Sequence, residues 1–153
     1  MATFTSKLTE TITLDSGTVN SENTRTITGI GEISKRILTI TTNEATIATF
    51  SGAVASSGHY NDGAVRYIRF TNLDGTNFVT LTFTNGAGDE AAIKLDAGQS
   101  FVFNGDNSTG MELIFNATQN ADAASDTALS PLTSVQADAN TGNCDIEMLI
   151  AST

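Results

Sequence analysis

The chain has 153 residues, with 17 acidic against 7 basic side chains and a formal net charge of −10. Nucleic-acid binders need clustered Lys and Arg to displace counterions from phosphates, and the few basic residues here are scattered, which excludes that partner; an acidic surface also repels anionic membranes. Hydrophobic residues at 39% suffice for the core of one domain over residues 1–153, while charged residues at 16% fall below the usual share of about 25%, and Thr, Asn, Ser and Gly fill the gap as they do where many strands are joined by tight loops.

The dominant period along the chain is two, as in strands whose alternate residues face opposite sides of a sheet. Over residues 3–14 one side reads Phe4, Ser6, Leu8, Glu10, Ile12, Leu14, and the other carries Thr3, Thr5, Lys7, Thr9, Thr11 and Thr13. Residues 1–14 are therefore expected to form an N-terminal arm or edge strand. Asp15-Ser16-Gly17 ends this run, and a short strand is expected over 24–28. Residues 33–41 and 45–50 read as two strands around Thr42-Asn43-Glu44. Their apolar residues Ile37, Leu38, Ile40, Ile47 and Phe50 fall on both faces, as in a central strand or an interface.

Residues 56–63 read as a loop. Residues 65–71 and 78–84 predict a hairpin around Asp74-Gly75, with Val79, Leu81 and Phe83 on one face. Ala91, Ile93 and Leu95 line a further strand, and Ala97-Gly98-Gln99 turns it into one carrying Phe101 and Phe103. Residues 105–110 form a polar loop, and Met111, Leu113, Phe115 and Ala117 line another strand. Residues 119–131, without an apolar anchor before Leu129, predict a mobile loop. A short strand at 132–135 and a last one at 144–150 close the chain. The expected fold is all-β: an antiparallel β-sandwich, jelly-roll-like, of roughly nine or ten short strands.

No catalytic, cofactor or metal residue is assigned. A cupin-type metal centre needs several histidines with nearby carboxylates, and the single His59 sits in a Gly-Ser-Asn loop. A Ser-His-Asp triad has no supporting Gly-x-Ser-x-Gly elbow, and no P-loop, dinucleotide fingerprint or zinc spacing occurs. Paired carboxylates could serve a glycosidase. The acids Glu10, Glu32, Glu44, Asp62, Asp89, Glu90, Glu112 and Glu147 lack the aromatic platform a sugar ring needs, with no Trp and two Tyr, Tyr60 and Tyr67. The clusters Asn61-Asp62, Asn72/Asp74/Asn77, Asp89-Glu90, Asn104/Asp106/Asn107 and Asp138/Asn140 offer oxygens to calcium, yet read more simply as turns bonding their own backbone. Asn107-Ser108-Thr109 and Asn116-Ala117-Thr118 match the glycosylation pattern by chance in a Thr- and Asn-rich chain. The lone Cys144 lies in an apolar alternation and reads as a small buried hydrophobe. Met1-Ala2-Thr3-Phe4 shows no secretion signal, and no stretch approaches a membrane span.

The segment Val65-Arg66-Tyr67-Ile68-Arg69-Phe70-Thr71-Asn72, with Phe78-Val79-Thr80-Leu81-Thr82-Phe83 and Ala92-Ile93-Lys94-Leu95-Asp96-Ala97-Gly98-Gln99-Ser100-Phe101-Val102-Phe103, resembles small β proteins of tailed-bacteriophage virions. The acidic, Thr/Asn/Gly-rich composition is similar to marine-phage structural proteins. The resemblance implies a non-enzymatic capsid decoration (cement) protein, made in the host cytoplasm and placed on the outer capsid surface of the virion. Its partners would be the major capsid protein and copies of itself, as a homotrimer. The alternative is a carbohydrate- or receptor-binding module of a phage tail or fibre.

Overall fold

The computed structural model describes residues 2–53, 56–104, 112–113 and 130–153. Twelve strands are seen among them, in the order β1 (Ala2–Leu14), β2 (Gly17–Ile30), β3 (Glu32–Ile40), β4 (Ala45–Phe50), β5 (His59–Tyr60), β6 (Val65–Asn72), β7 (Val79–Asn85), β8 (Glu90–Leu95), β9 (Ser100–Asn104), β10 (Glu112–Leu113), β11 (Ser130–Ala139) and β12 (Cys144–Ser152). One sheet runs β5-β4-β11-β7-β8, with β10 also on β11; the second runs β3-β12-β6-β9; β1 and β2 form a two-stranded ribbon. Every pairing is antiparallel except the short parallel β4–β5 contact. The fold is an all-β antiparallel sandwich.

The two sheets share one core. Ala48 and Phe50 of β4, Val79, Leu81 and Phe83 of β7, Leu95 of β8 and Val135 of β11 face Ile68 and Phe70 of β6 and Ile146, Met148 and Ile150 of β12. Phe83 bridges the layers, with its ring centroid 6.3 Å from Phe70 and 5.1 Å from Phe101. In β12 the period of two is strict: Cys144, Ile146, Met148 and Ile150 are buried and Asp145 is exposed. In β6 the register slips between Ala151 and Ser152 of the neighbouring β12. Val65 and Ile68 consequently both reach the core.

Several expectations are corrected. Residues 65–71 and 78–84 do not pair as a hairpin, because β6 and β7 lie in opposite sheets. The segment between them is an inter-sheet crossover held by Asn72, which is fully buried. Its Nδ2 donates to the carbonyls of Asn77 (2.8 Å) and Leu95 (3.1 Å), and its Oδ1 accepts from Asp74 N (2.9 Å). Asp74 Oδ1 in turn accepts from the backbone N–H of Asn77 (2.7 Å) and Thr76 (2.8 Å). β3 and β4 likewise occupy different sheets, and β3 is an edge strand, not a central one.

The strand expected at 24–28 spans Gly17–Ile30, because β1 pairs along its whole length from Leu14↔Gly17 to Ala2↔Ile30. Gly17 follows the tight turn at φ +147°, a conformation that side chains resist. The strand at 132–135 extends over Ser130–Ala139, so Ser130 and Pro131 belong to β11 and not to the 119–131 loop. The loop at 56–63 contains β5, whose Tyr60 is buried. The remainder of the 119–131 segment, the 105–110 loop and most of the strand expected at 111–117 lie outside the described residues, where only Glu112–Leu113 is seen as strand.

Candidate interaction surface

The β1–β2 ribbon has two unlike faces. Its register puts Phe4, Ser6, Leu8, Glu10, Ile12 and Leu14 on one face together with Val19 and Ile27, and leaves the threonines on the other. Among the described residues the apolar face docks only at its base. There Phe4, Ile27 and Ile30 pack with Tyr67, Leu149 and Ala151 on the outer side of the β3-β12-β6-β9 sheet, forming a small second core. Beyond it the same face continues uncovered: Leu8 is 58% exposed, Ile12 57%, Leu14 54% and Val19 57%. Every residue from 7 to 24 is exposed. On the threonine side Lys7 Nζ meets Glu22 at 2.8 Å, across two exposed side chains, a contact of small energetic weight.

The outer face of the same sheet carries a second unpartnered apolar row. On β3, Ile33, Lys35, Ile37 and Thr39 point outward; Ile33 is 54% exposed and Ile37 62%. Beside them Glu147 of β12 sits between two cations. Lys35 Nζ lies 2.9 Å from one carboxylate oxygen, and Arg69 of β6 bonds the other. The Lys35 hydrogen bond is the main cause that holds the Glu147 carboxyl below the usual glutamate range, with partial burial opposing it and Arg69 assisting. Arg69 Nε is buried without a partner among the described residues.

A third feature is an open cleft of about 460 Å³ between the sheets at the β3–β4 edge, within the size of small-ligand sites. Arg36, His59, Leu38, Ile47 and Thr49 line it. Arg36 extends over Gly58, where a Cβ would meet its guanidinium at 3.5 Å. Ser34 and Tyr60 close the adjoining part of the edge through a 3.0 Å hydroxyl contact.

The residues considered from the sequence are dispersed. His59 is half-buried in the cleft, and none of the candidate carboxylates among the described residues lines it. Cys144 is buried in the core, and burial raises its thiol pKa, with Asp74 and Asp145 adding to the effect. Asn61 and Asp62 both accept from Gly63 N, and Asn85 from Ala87 N and Asp89 N. Asp74 is held below the usual carboxylate range by the backbone N–H groups of Asn77 and Thr76. Glu10 lies on the ribbon, Glu147 on the outer sheet face, and Asp138 on β11. Among the described residues no three His, Cys, Asp or Glu side chains are grouped to hold a metal ion, and no helix is long and apolar enough to cross a membrane. Asp106, both glycosylation patterns and the side chain of Glu112 lie outside the described residues.

Ile37 belongs to the apolar residues that fall on both faces of 33–50 and point to an interface; the structure adds Ile33 beside it on the outer row of β3, a row the sequence does not single out because both rows mix apolar and polar residues. Val19 was hidden by its neighbours Asn20, Ser21, Glu22 and Asn23, which carry no strand alternation; the apolar row of β1, which demands a partner, was the available signal.

No family model and no curated protein matches the chain. Among solved structures, a Bacillus endospore appendage from a family of disulfide-linked pili is similar at 14% identity, over 80% of this chain and 85% of that one, with a TM-score of 0.46.

Proposed function

We propose that the chain is a non-enzymatic structural protein of a virion, a capsid decoration protein that binds and stabilises the outer shell by burying surface between neighbouring subunits. The observation that carries this reading is the projecting ribbon, whose apolar face is anchored at Phe4 and then left open over Leu8, Ile12, Leu14 and Val19. An exposed apolar row such as this one, interrupted by Glu10 and rimmed by polar residues, marks an interaction site. The winding of the sandwich agrees. Without β5 and β10 its strands run β4-β11-β7-β8 against β3-β12-β6-β9, so that each connection except β7–β8 crosses between sheets. We read this interleaving as a jelly roll, an architecture found in viral capsid domains and in lectins. Fold alone does not assign function, so the reading rests on the ribbon and on the phage resemblance of residues 65–103.

The protein would act as a homo-oligomer, with the major capsid protein as partner. Adding purified chain to bare capsids should give saturable binding and raise their resistance to heat, by preferential binding to the assembled state. Absence of binding, with unchanged heat resistance, would rule this function out.

The cleft at Arg36 and His59 favours a second reading, a carbohydrate- or receptor-binding module. A glycan array probed with the chain should then show hits that Arg36→Ala abolishes. An array without hits removes this alternative.

A further inference from the structure

Among the described residues two apolar rows are exposed, one on the ribbon and one on β3, and their chemistry matches. On the ribbon, Leu8 and Ile12 flank Glu10; on β3, Ile33 and Ile37 flank Lys35. Both pairs stand four residues apart on extended strands, about 13 Å at roughly 3.3 Å per residue. Each central charge is therefore framed by apolar side chains at equal distance, and the two triplets are complementary in either strand direction. We propose that the distal ribbon of one protomer lies across the outer face of β3 in a second copy of this chain, seating Leu8 and Ile12 against Ile33 and Ile37 with Glu10 opposite Lys35.

Three observations select a second copy as the occupant. First, the ribbon's apolar face already docks on this sheet within one protomer, through Phe4 and Ile27 on Tyr67 and Ala151. The proposed contact continues that interface outward with the same face of the ribbon and the same side of the sheet. Second, the charges agree. Lys35 keeps 62% of its side chain exposed although it already contacts Glu147, and an ammonium group has donors for a second carboxylate. Third, the area suffices. Residues 7–14 extend about 26 Å, and a ribbon two strands wide, roughly 10 Å, covers about 250 Å² on each partner. Reciprocal exchange of two ribbons thus buries about 1,000 Å², the size at which a specific biological interface begins.

This inference rests on the reading of the protein as an assembling structural subunit, and it names the homotypic contact. The test is light scattering on the purified full chain over a range of concentrations, with melting curves to show that each variant stays folded. Wild type should exceed the monomer mass. Leu8→Asn combined with Ile12→Thr should return it to the monomer. Glu10→Lys and Lys35→Glu should each weaken association at least tenfold. Mixing those two single variants should restore it, since every ribbon in the mixed assembly again meets an opposite charge. A wild-type chain that remains monomeric overturns the contact, as does association that the charge reversals leave unchanged or that mixing fails to restore. A monomer that still binds capsids would discard this contact and keep the proposed function; an oligomer that binds no capsid would do the reverse.

Discussion

The Phe4 ring lies 4.7 Å from the ring of Tyr67, tilted by 50°, and this pair fastens the base of the ribbon to the outer side of the sandwich. Tyr67 points away from the main core, yet is only 4% exposed, because Phe4, Ile27 and Ile30 cover it. The anchor is local: the shared core of the two sheets does not include it.

Phe4→Ala should therefore loosen the ribbon without unfolding the sandwich. Loss of one half-buried aromatic contact costs about 1–3 kcal/mol of anchoring. Amide hydrogen exchange should speed up in β1 and β2 while the main melting transition stays nearly unchanged. A coincident loss of protection in β6 and β12 would show that the ribbon and the sandwich are one cooperative unit.

Asn72→Ala should be far more damaging than its polar character suggests. The fully buried amide ties the β6–β7 crossover to Leu95 and to its own loop. Removing it leaves buried backbone groups without partners, at about 2–4 kcal/mol. Chemical denaturation should show this loss with an unchanged slope against denaturant. A cost below about 1 kcal/mol would mean that the crossover holds itself together.

Phe83→Ala should destabilise both sheets at once, by about 3–5 kcal/mol. Its ring meets Phe70 and Phe101 across the interlayer gap. Circular dichroism and tyrosine fluorescence should report one shared transition, lowered by about 3 °C per kcal/mol at this chain length.

Acid should weaken the outer face of the second sheet. The Glu147 carboxyl is held below its ordinary range, first by the Lys35 hydrogen bond and then by Arg69. A carboxyl depressed in the folded state contributes its full stability above the unfolded-state pKa and loses it as pH falls through the folded one. Stability should thus decline below the ordinary glutamate range, and Glu147→Gln should flatten that part of the curve. An equally steep decline in the variant would place the acid sensitivity elsewhere.

Cys144 should be inert to thiol reagents in the native protein. It is 1% exposed, and burial raises its thiol pKa, which suppresses the reactive thiolate. Labelling at neutral pH should proceed only at the rate of unfolding and become fast in denaturant. Rapid native labelling would reveal an opening of the β12 end of the sandwich.

The amino-acid sequence determined by itself that this chain is made of strands, because side chains must alternate across a sheet whatever the sheet's neighbours are. Cys144, Ile146, Met148 and Ile150 declared the core face of β12, and Phe4, Leu8, Ile12 and Leu14 the apolar row of β1. It could not declare β2, whose Gly17–Asn23 half is polar apart from Val19; that half is a strand because backbone groups of β1 pair with it, and those bonds require no apolar side chain. Only the tertiary structure decided which strands lie beside one another and which face one another. The buried rows of β6 and β7 would be satisfied in a hairpin as well as across the core, and the buried Asn72 network selects the crossover. It also decided that Ile33 and Ile37 face outward, since β3 offers Ser34, Arg36, Leu38 and Ile40 as an equally mixed alternative row, and the position of the second sheet settles which row is covered.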